Sequence, residues 1–290
     1  LIGSEGTLGV ITRVLLRLIP KPQSTRTMLA FYSSLSDSAE TVSDIIASKI
    51  TPAALEFLDN TTIRCVEEYA HLGLPTSIEA LLLIEVDGRL AEVEEDAARI
   101  VDICKRHGAL EIKVAGNEEE AVKLRTARKA AFSALARVRP TTILEDATVP
   151  RSEVAPMLES INRIARSYDL TFGNFGHAGD GNLHPTCLTD ERDKQEIHKA
   201  EQAFEQIFQE AVRFGGTITG EHGVGLAKLK FLEQALGEPA IDMMRKIKAA
   251  VDPNSVLNPG KIFSLHPRCE GPLPSNREQI KKFSDSGAFT

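Results

Sequence analysis

The chain has 290 residues, 42% of them hydrophobic and 26% charged, with 20 Gly and 14 Pro. That is enough chain to bury one large core or two modest ones without disulfides or a structural metal, and it lies outside the disordered and fibrous classes. The 34 basic residues against 41 acidic ones give a formal charge of −7, so no basic footprint exists for nucleic acid or anionic lipid. Cys65, Cys104, Cys187 and Cys269 lie far apart without a C-x-x-C pair, which excludes a zinc knuckle or dithiol motif and leaves buried free thiols as the expectation. No run reaches the roughly 18–20 apolar residues of a membrane span, and no signal peptide opens the chain. The first residue, Leu1, already stands inside a motif, Gly3-Ser4-Glu5-Gly6-Thr7-Leu8-Gly9, so a longer reading frame is expected upstream.

After this loop, residues 10–18 (VITRVLLRL) alternate imperfectly, placing Thr12, Val14, Leu16 and Leu18 on one face of an expected strand ended by Pro20 and Pro22. Next come an apolar run over 28–32, a helix opened by Ser36 or Asp37, an apolar run over 55–58 and a helix over 60–72 stopped by Gly73. A buried strand over 80–86 closes at Asp87-Gly88. Val93, Ala97, Ile100 and Cys104, spaced four, three and four apart, then mark one helical face ended by Gly108. A strand over 110–114 leads into a long helix over about 117–137, whose acidic first turn suits the helix dipole and which Pro140 stops. Strands over 144–149 and 170–175 flank a helix over 153–168. Helices over 194–214, 226–236 and 240–251 follow, with a polar tail beyond 265. The alternation alone fits either a parallel α/β sheet or an α+β layer.

Residues 173–186 read GNFGHAGDGNLHPT, and Asp180-Gly181 is a strong signal for a two-residue hairpin turn. Pairing outward sets Gly179 against Asn182, Ala178 against Leu183 and His177 against His184. Opposed residues share a face with Cβ atoms roughly 4.5–5.5 Å apart, close enough for two imidazoles to hold one metal ion. The plain alternative is a glycine-rich hairpin whose histidines cap backbone groups or face water. Residues 219–225, TGEHGVG, place Glu221 beside His222 in a loop between a short strand and a helix. Alone, the pair reads as a solvated acid and a cap histidine, and the glycine order is wrong for a dinucleotide fingerprint. Beside the hairpin, Glu221 is expected as a third ligand, since two neutral His and a carboxylate suit Zn²⁺, Mn²⁺ or Fe²⁺ and leave positions open to substrate oxygens. His222 is then free to take a proton from a metal-polarised hydroxyl. Arg125 and Arg128, three apart on the long helix, are either solvated or a fork for a substrate carboxylate. Asp146, in LEDATVP, reads as a strand-end residue without a chemical role.

Four segments in order, GSEGTLGVIT, GHAGDGNLHP, TGEHGVG and VDPNSVLNPGKIF, resemble the FAD-linked oxidases that include glycolate oxidase, cytochrome-type D-lactate dehydrogenase and D-2-hydroxyglutarate dehydrogenase, a match that runs to about residue 263. The resemblance implies an α+β architecture. Residues 1–22 would finish a vanillyl-alcohol-oxidase-type FAD domain, and 23–217 would form a substrate-binding cap domain with an antiparallel sheet covered by helices. Residues 218–265 would return to the flavin side, and 266–290 would be the tail. The same resemblance implies FAD, approached by Gly3, Ser4, Glu5, Gly6, Gly9 and Val10, with Asn258 near the ring. It implies a divalent metal (Zn²⁺, Mn²⁺ or Fe²⁺) on His177, His184 and Glu221, His222 as the base, and Arg128 as the arginine for the substrate carboxylate. Thr186 stands where some relatives carry asparagine. The activity implied is oxidation of a small D-2-hydroxy acid of the D-lactate or glycolate type to the 2-oxo acid. Electrons would pass to a cytochrome, an electron-transfer flavoprotein or an iron–sulfur protein, in bacterial cytoplasm, at the inner membrane face or in mitochondria. Rival readings are a metal- or hydroxy-acid-binding fragment without catalysis, a non-catalytic component of a larger oxidase that docks iron–sulfur partners, and a metallohydrolase that activates water on the same His and Glu side chains.

Overall fold

The computed structural model describes residues 1–263; the polar tail over 266–290 and Cys269 lie outside them. The strands β1 (Ser24–Tyr32), β2 (Ala54–Asp59), β3 (Ala80–Gly88), β4 (Glu111–Val114), β5 (Thr141–Leu144), β6 (Ala147–Thr148), β7 (Thr171–His177) and β8 (Asn182–Thr189) form one sheet. Its order is β4-β1-β3-β2-β7-β8-β5, with β6 also on β8, and every pairing is antiparallel. That decides for the α+β layer over the parallel sheet.

Helices cover both faces. Period-two alternation turns Leu29 and Phe31 of β1, Leu81 and Leu83 of β3, Leu58 of β2 and Phe175 of β7 to one side. There they pack with Ile63 and Val66 of α2 (Asn60–Ala70), Ala127 of α4 (Glu118–Lys129), and Ala131 and Leu135 of α5 (Ala131–Leu135). The opposite face meets α1 (Leu35–Ala47) and α3 (Leu90–Arg106), whose Val93, Ala97, Ile100 and Cys104 are buried as their spacing predicts, and also α6 (Val154–Ser167) and α7 (Lys194–Arg213). Full burial of each such aliphatic or aromatic side chain stabilises by about 1.5–3 kcal/mol. Helix starts follow local chemistry: the side chains of Ser34, Asp59, Asn117 and Asp193 accept first-turn N–H groups. α1 therefore begins one residue before the expected Ser36.

Three expectations need correction. Residues 10–18 form no strand: no strand among the described residues pairs with them, and Val10, Val14, Leu15, Leu16 and Leu18 are exposed, Leu15 by 99%. The helix expected over 117–137 is α4 and α5, tightened at Ala130 and ended at Leu135. The strand expected over 144–149 is split into β5 and β6, although Leu144↔Thr186 and Ala147↔Leu183 keep one register along β8. The cause is Pro185. Glu145 donates its N–H to the Pro185 carbonyl at 3.2 Å, but proline has no N–H to return, so half of that hydrogen-bonded pair is missing. The same register sets Asp146 opposite His184.

The chain divides into two compact units, Arg17–His222, which holds the sheet, and Leu1–Leu16 with the chain from Gly223. In the second unit, α8 (Leu229–Leu236) and α9 (Glu238–Val251) bury Leu232 and Ile241 with Val224 and Ile262. Lys248 ties α9 to the opening loop by donating to the carbonyls of Thr7 (2.7 Å) and Leu257 (2.6 Å). It also pairs with Asp252, whose carboxyl this cation and the N–H groups of Val256 and Leu257 hold down at about 2. No helix among the described residues is long and apolar enough to cross a membrane.

Candidate active site

The β7–β8 hairpin carries the two predicted histidines, in a register shifted by two from the expected one. His177 faces Asn182, and His184 faces Phe175. The turn comprises four residues, 178–181, because neighbours claim its backbone: Gly179 N–H donates to Leu55 O at 3.2 Å, and Gly181 O accepts from Val149 N–H at 3.0 Å. A shift of two preserves the face, so the imidazoles remain together, their ring centroids 5.3 Å apart. Glu221 reaches both, with Oε1 3.2 Å from His177 Nε2 and 3.3 Å from His184 Nε2. Asn182 Nδ2 donates to the same oxygen at 3.3 Å and is itself steadied by Thr148 at 2.8 Å. Glycine at 220 is required for this approach. A Cβ there would lie 2.4 Å from the Asn182 side chain and 2.5 Å from Thr148 Oγ1.

Behind the histidines stand two carboxylates. Glu56, directly across from His177 on β2, holds His177 Nδ1 at 2.8 Å. Asp146, fully buried, lies 3.1 Å from His184 Nδ1 and 2.6 Å from His222 Nδ1 through Oδ1. Its Oδ2 accepts from Thr219 Oγ1 (3.0 Å) and from the N–H groups of Gly220, Glu221 and His222 (3.3, 3.3 and 3.0 Å). The expectation that Asp146 is merely a strand-end residue is thus corrected. Its partners lie 38 to 76 residues away, beyond the reach of local pattern. Glu56 left a signal: a carboxylate inside the apolar strand ALEFLD needs a partner.

Arg128, on α4, donates from Nε to Glu56 at 2.8 Å and lies over the Phe175 ring at 4.7 Å. Its terminal nitrogens make no hydrogen bond among the described residues, and Arg128 lines an open cleft with Glu56, Glu85, Arg125 and His177. Arg125 instead pairs with Glu118 (2.6 Å) and Glu85 (3.7 Å). The Cys187 thiol on β8 is pushed up to about 12 by burial, so it supplies no thiolate at neutral pH. In the other unit, the Glu5 carboxylate accepts from Val224 N–H (2.7 Å) and Gly225 N–H (2.8 Å), and Asn258 Nδ2 donates to Glu5 O at 2.5 Å. Both side chains therefore brace their own loop.

The family model for FAD linked oxidases, C-terminal domain, matches residues 21–262. The chain belongs to this family. It is 55% identical over 267 residues to glycolate oxidase subunit GlcD of Bacillus subtilis (strain 168), covering 92% of this chain and 57% of that protein. It is 34% identical over 277 residues to D-lactate dehydrogenase of Anaerostipes hadrus, covering 90% and 57%. The chain thus spans a little over half the length of these relatives. Among solved structures, 4-ethylphenol oxidase from Gulosibacter chungangensis superposes with a TM-score of 0.63 at 14% identity, covering 88% of this chain and 56% of that one. p-Cresol methylhydroxylase gives 0.64 at 16%, covering 85% and 54%. At these identities the likeness is one of fold, and it is the vanillyl-alcohol-oxidase type with its helix-covered antiparallel sheet.

In this FAD linked oxidase chain the donor set fits a divalent ion. Donor atoms sharing one ion through bonds of about 2.1 Å lie roughly 3.0–3.4 Å apart, which the separations of 3.2 and 3.3 Å match. A neutral ring that gives Nδ1–H to a carboxylate presents a bare Nε2 lone pair. In that form His177 and His184 would turn two lone pairs toward the Glu221 oxygen, an arrangement that a cation between them would stabilise. Asp146, His184 and His222 also come within ligand distance of one another. That trio meets on Asp146 Oδ1, while Oδ2 is held by Thr219 Oγ1 and the N–H groups of residues 220–222.

Proposed function

We propose that the full-length protein oxidises a small D-2-hydroxy acid, of the glycolate or D-lactate type, to the 2-oxo acid. Residues 1–22 would complete its flavin domain, 23–217 would form the cap, 218–265 would return to the flavin side, and an electron-acceptor protein would be the partner. The observation that carries this reading is the convergence of His177 Nε2 and His184 Nε2 on Glu221 Oε1, with His222 held beside them on the carboxylate shared with His184. His177, His184 and Glu221 would hold a divalent metal, Zn²⁺, Mn²⁺ or Fe²⁺, whose chemistry is to polarise the substrate hydroxyl and lower its pKa. The free terminal nitrogens of Arg128 suit a bidentate contact with the substrate carboxylate, oriented by Glu56 through Nε. His222 accepts the hydroxyl proton at Nε2, as its Nδ1 is occupied. FAD, when bound, supplies the acceptor for the hydride leaving C2. Loss of that hydride and of the hydroxyl proton balances the conversion of the alcohol to the ketone or aldehyde.

Anaerobic mixing of the FAD-loaded full-length protein with D-lactate or glycolate tests this reading. Flavin bleaching at a rate that His222→Ala lowers about 10²–10⁴-fold, with flavin and metal retained, is expected. Bleaching undiminished in His222→Ala removes the base assignment. Ester hydrolysis without flavin, in place of bleaching, replaces the oxidase with a hydrolase.

A further inference from the structure

Asp146 is fully buried, and two of the site's imidazoles end on one of its oxygens. We propose that Asp146 is the positioning residue that sets the tautomers of the base and of a metal ligand at once, an inference that rests on the functional reading above.

The four donors on Oδ2 are Thr219 Oγ1 and three consecutive N–H groups. They require an ionised or at least acceptor-only oxygen there and fix the orientation of the carboxylate. That leaves Oδ1 as an acceptor facing His184 Nδ1 at 3.1 Å and His222 Nδ1 at 2.6 Å. An acceptor oxygen between two ring nitrogens selects the Nδ1–H form of both rings. In that form His184 offers its Nε2 lone pair toward Glu221 and His177, where a metal would be held. His222, half-exposed at 50%, offers its own Nε2 lone pair outward as the proton acceptor. With the rings 5.3 Å apart and inclined by 37°, one carboxylate couples metal affinity to base orientation. Because its other oxygen holds the N–H groups of residues 220–222, the same group also sets the backbone that carries Glu221 and His222. Placement and tautomer therefore depend on a single side chain.

Asparagine at this position separates the tautomer role from mere filling of space. With its carbonyl kept on the four loop donors, Asp146→Asn turns an NH₂ toward both rings, which makes Nδ1 of each an acceptor and moves the ring protons to Nε2. The variant is expected to fold, to lose metal and to lose kcat by about 10²–10⁴-fold, the scale of a wrong-tautomer histidine base, with KM changed far less. The direct readout needs no variant. In the zinc-loaded full-length protein with ¹⁵N-labelled histidine, the nitrogen shifts are expected to report Nδ1–H at His184 and at His222. An Nε2–H tautomer at His222 in the wild type overturns the inference, as does an Asp146→Asn protein that keeps both its metal and its kcat. If Asp146→Asn does not fold, the wild-type shifts alone decide. Should the wild type neither take up metal nor reduce flavin, the functional reading falls, while the His222 tautomer, read in the metal-free protein, still decides the role of Asp146.

Discussion

Two aspartates, Asp59 and Asp146, are 5% and 0% exposed in the same half of the sheet, and each accepts backbone N–H groups of the segment that follows it in space. Asp59 caps α2 through Thr62 N–H at 2.8 Å and takes the Asn174 amide at 2.8 Å; its partners lead no further. Asp146 does the same for residues 219–222 but also ends on two imidazoles. Burial and hydrogen bonding do not distinguish a structural carboxylate from a functional one. What the next group along the network can do is the better guide.

The largest effect is expected at Asp146. Truncation to alanine strands four part-buried loop donors, and a stability loss of about 3–5 kcal/mol in denaturant titration is expected, together with loss of metal. A loss below about 1 kcal/mol would show that the loop does not depend on this carboxylate. At Asp59 the expected effect is a pH dependence. Desolvation pushes its carboxyl from 3.8 to about 6, against the opposing hydrogen bonds. Because the folded value lies above the unfolded one, protonation favours the folded state. This contribution is complete below about pH 4 and is lost as pH rises through about 6, an upper limit of about 3 kcal/mol. Melting curves between about pH 4 and 7 for wild type and Asp59→Asn check it: the variant should lack that downward slope. At Glu56, replacement by Gln loosens His177 and Arg128 together, and metal affinity measured against a chelator is expected to fall about 10–100-fold. As a control on the far side of the sheet, Glu94→Gln removes the exposed pair with Arg26 and should shift stability by less than about 1 kcal/mol in the same titration.

Sequence pattern reached those features that depend on local chemistry. The helical face of Val93, Ala97, Ile100 and Cys104 was legible because a single period decides it, and the cores of β1 to β3 because each is a predominantly apolar run. The hairpin shows where such reasoning holds and where it stops. Turn chemistry pointed to two residues, whereas contacts from Leu55 and Val149 stretched the turn to four. The pairing of His177 with His184 survived because a slip of two keeps both on one face. Nothing local announces that Pro185 interrupts the ladder beside Asp146, or that residues 10–18 pair with no strand among the described residues. A strand exists only where a partner completes its hydrogen bonds. The roles of Glu56, Asp146 and Asn182 come from contacts across 34 to 121 residues, and only Glu56, as a charge within an apolar run, left a trace in the sequence.

Whether His177, His184 and Glu221 hold a metal ion is read from the metal content of the purified full-length protein, measured by elemental mass spectrometry. About one transition-metal ion per wild-type chain, absent from a folded His177→Ala, His184→Ala double variant, is the predicted result. A folded wild type that carries no metal and takes up none from Zn²⁺, Mn²⁺ or Fe²⁺ would contradict it and leave the two histidines as hydrogen-bonding groups around Glu221.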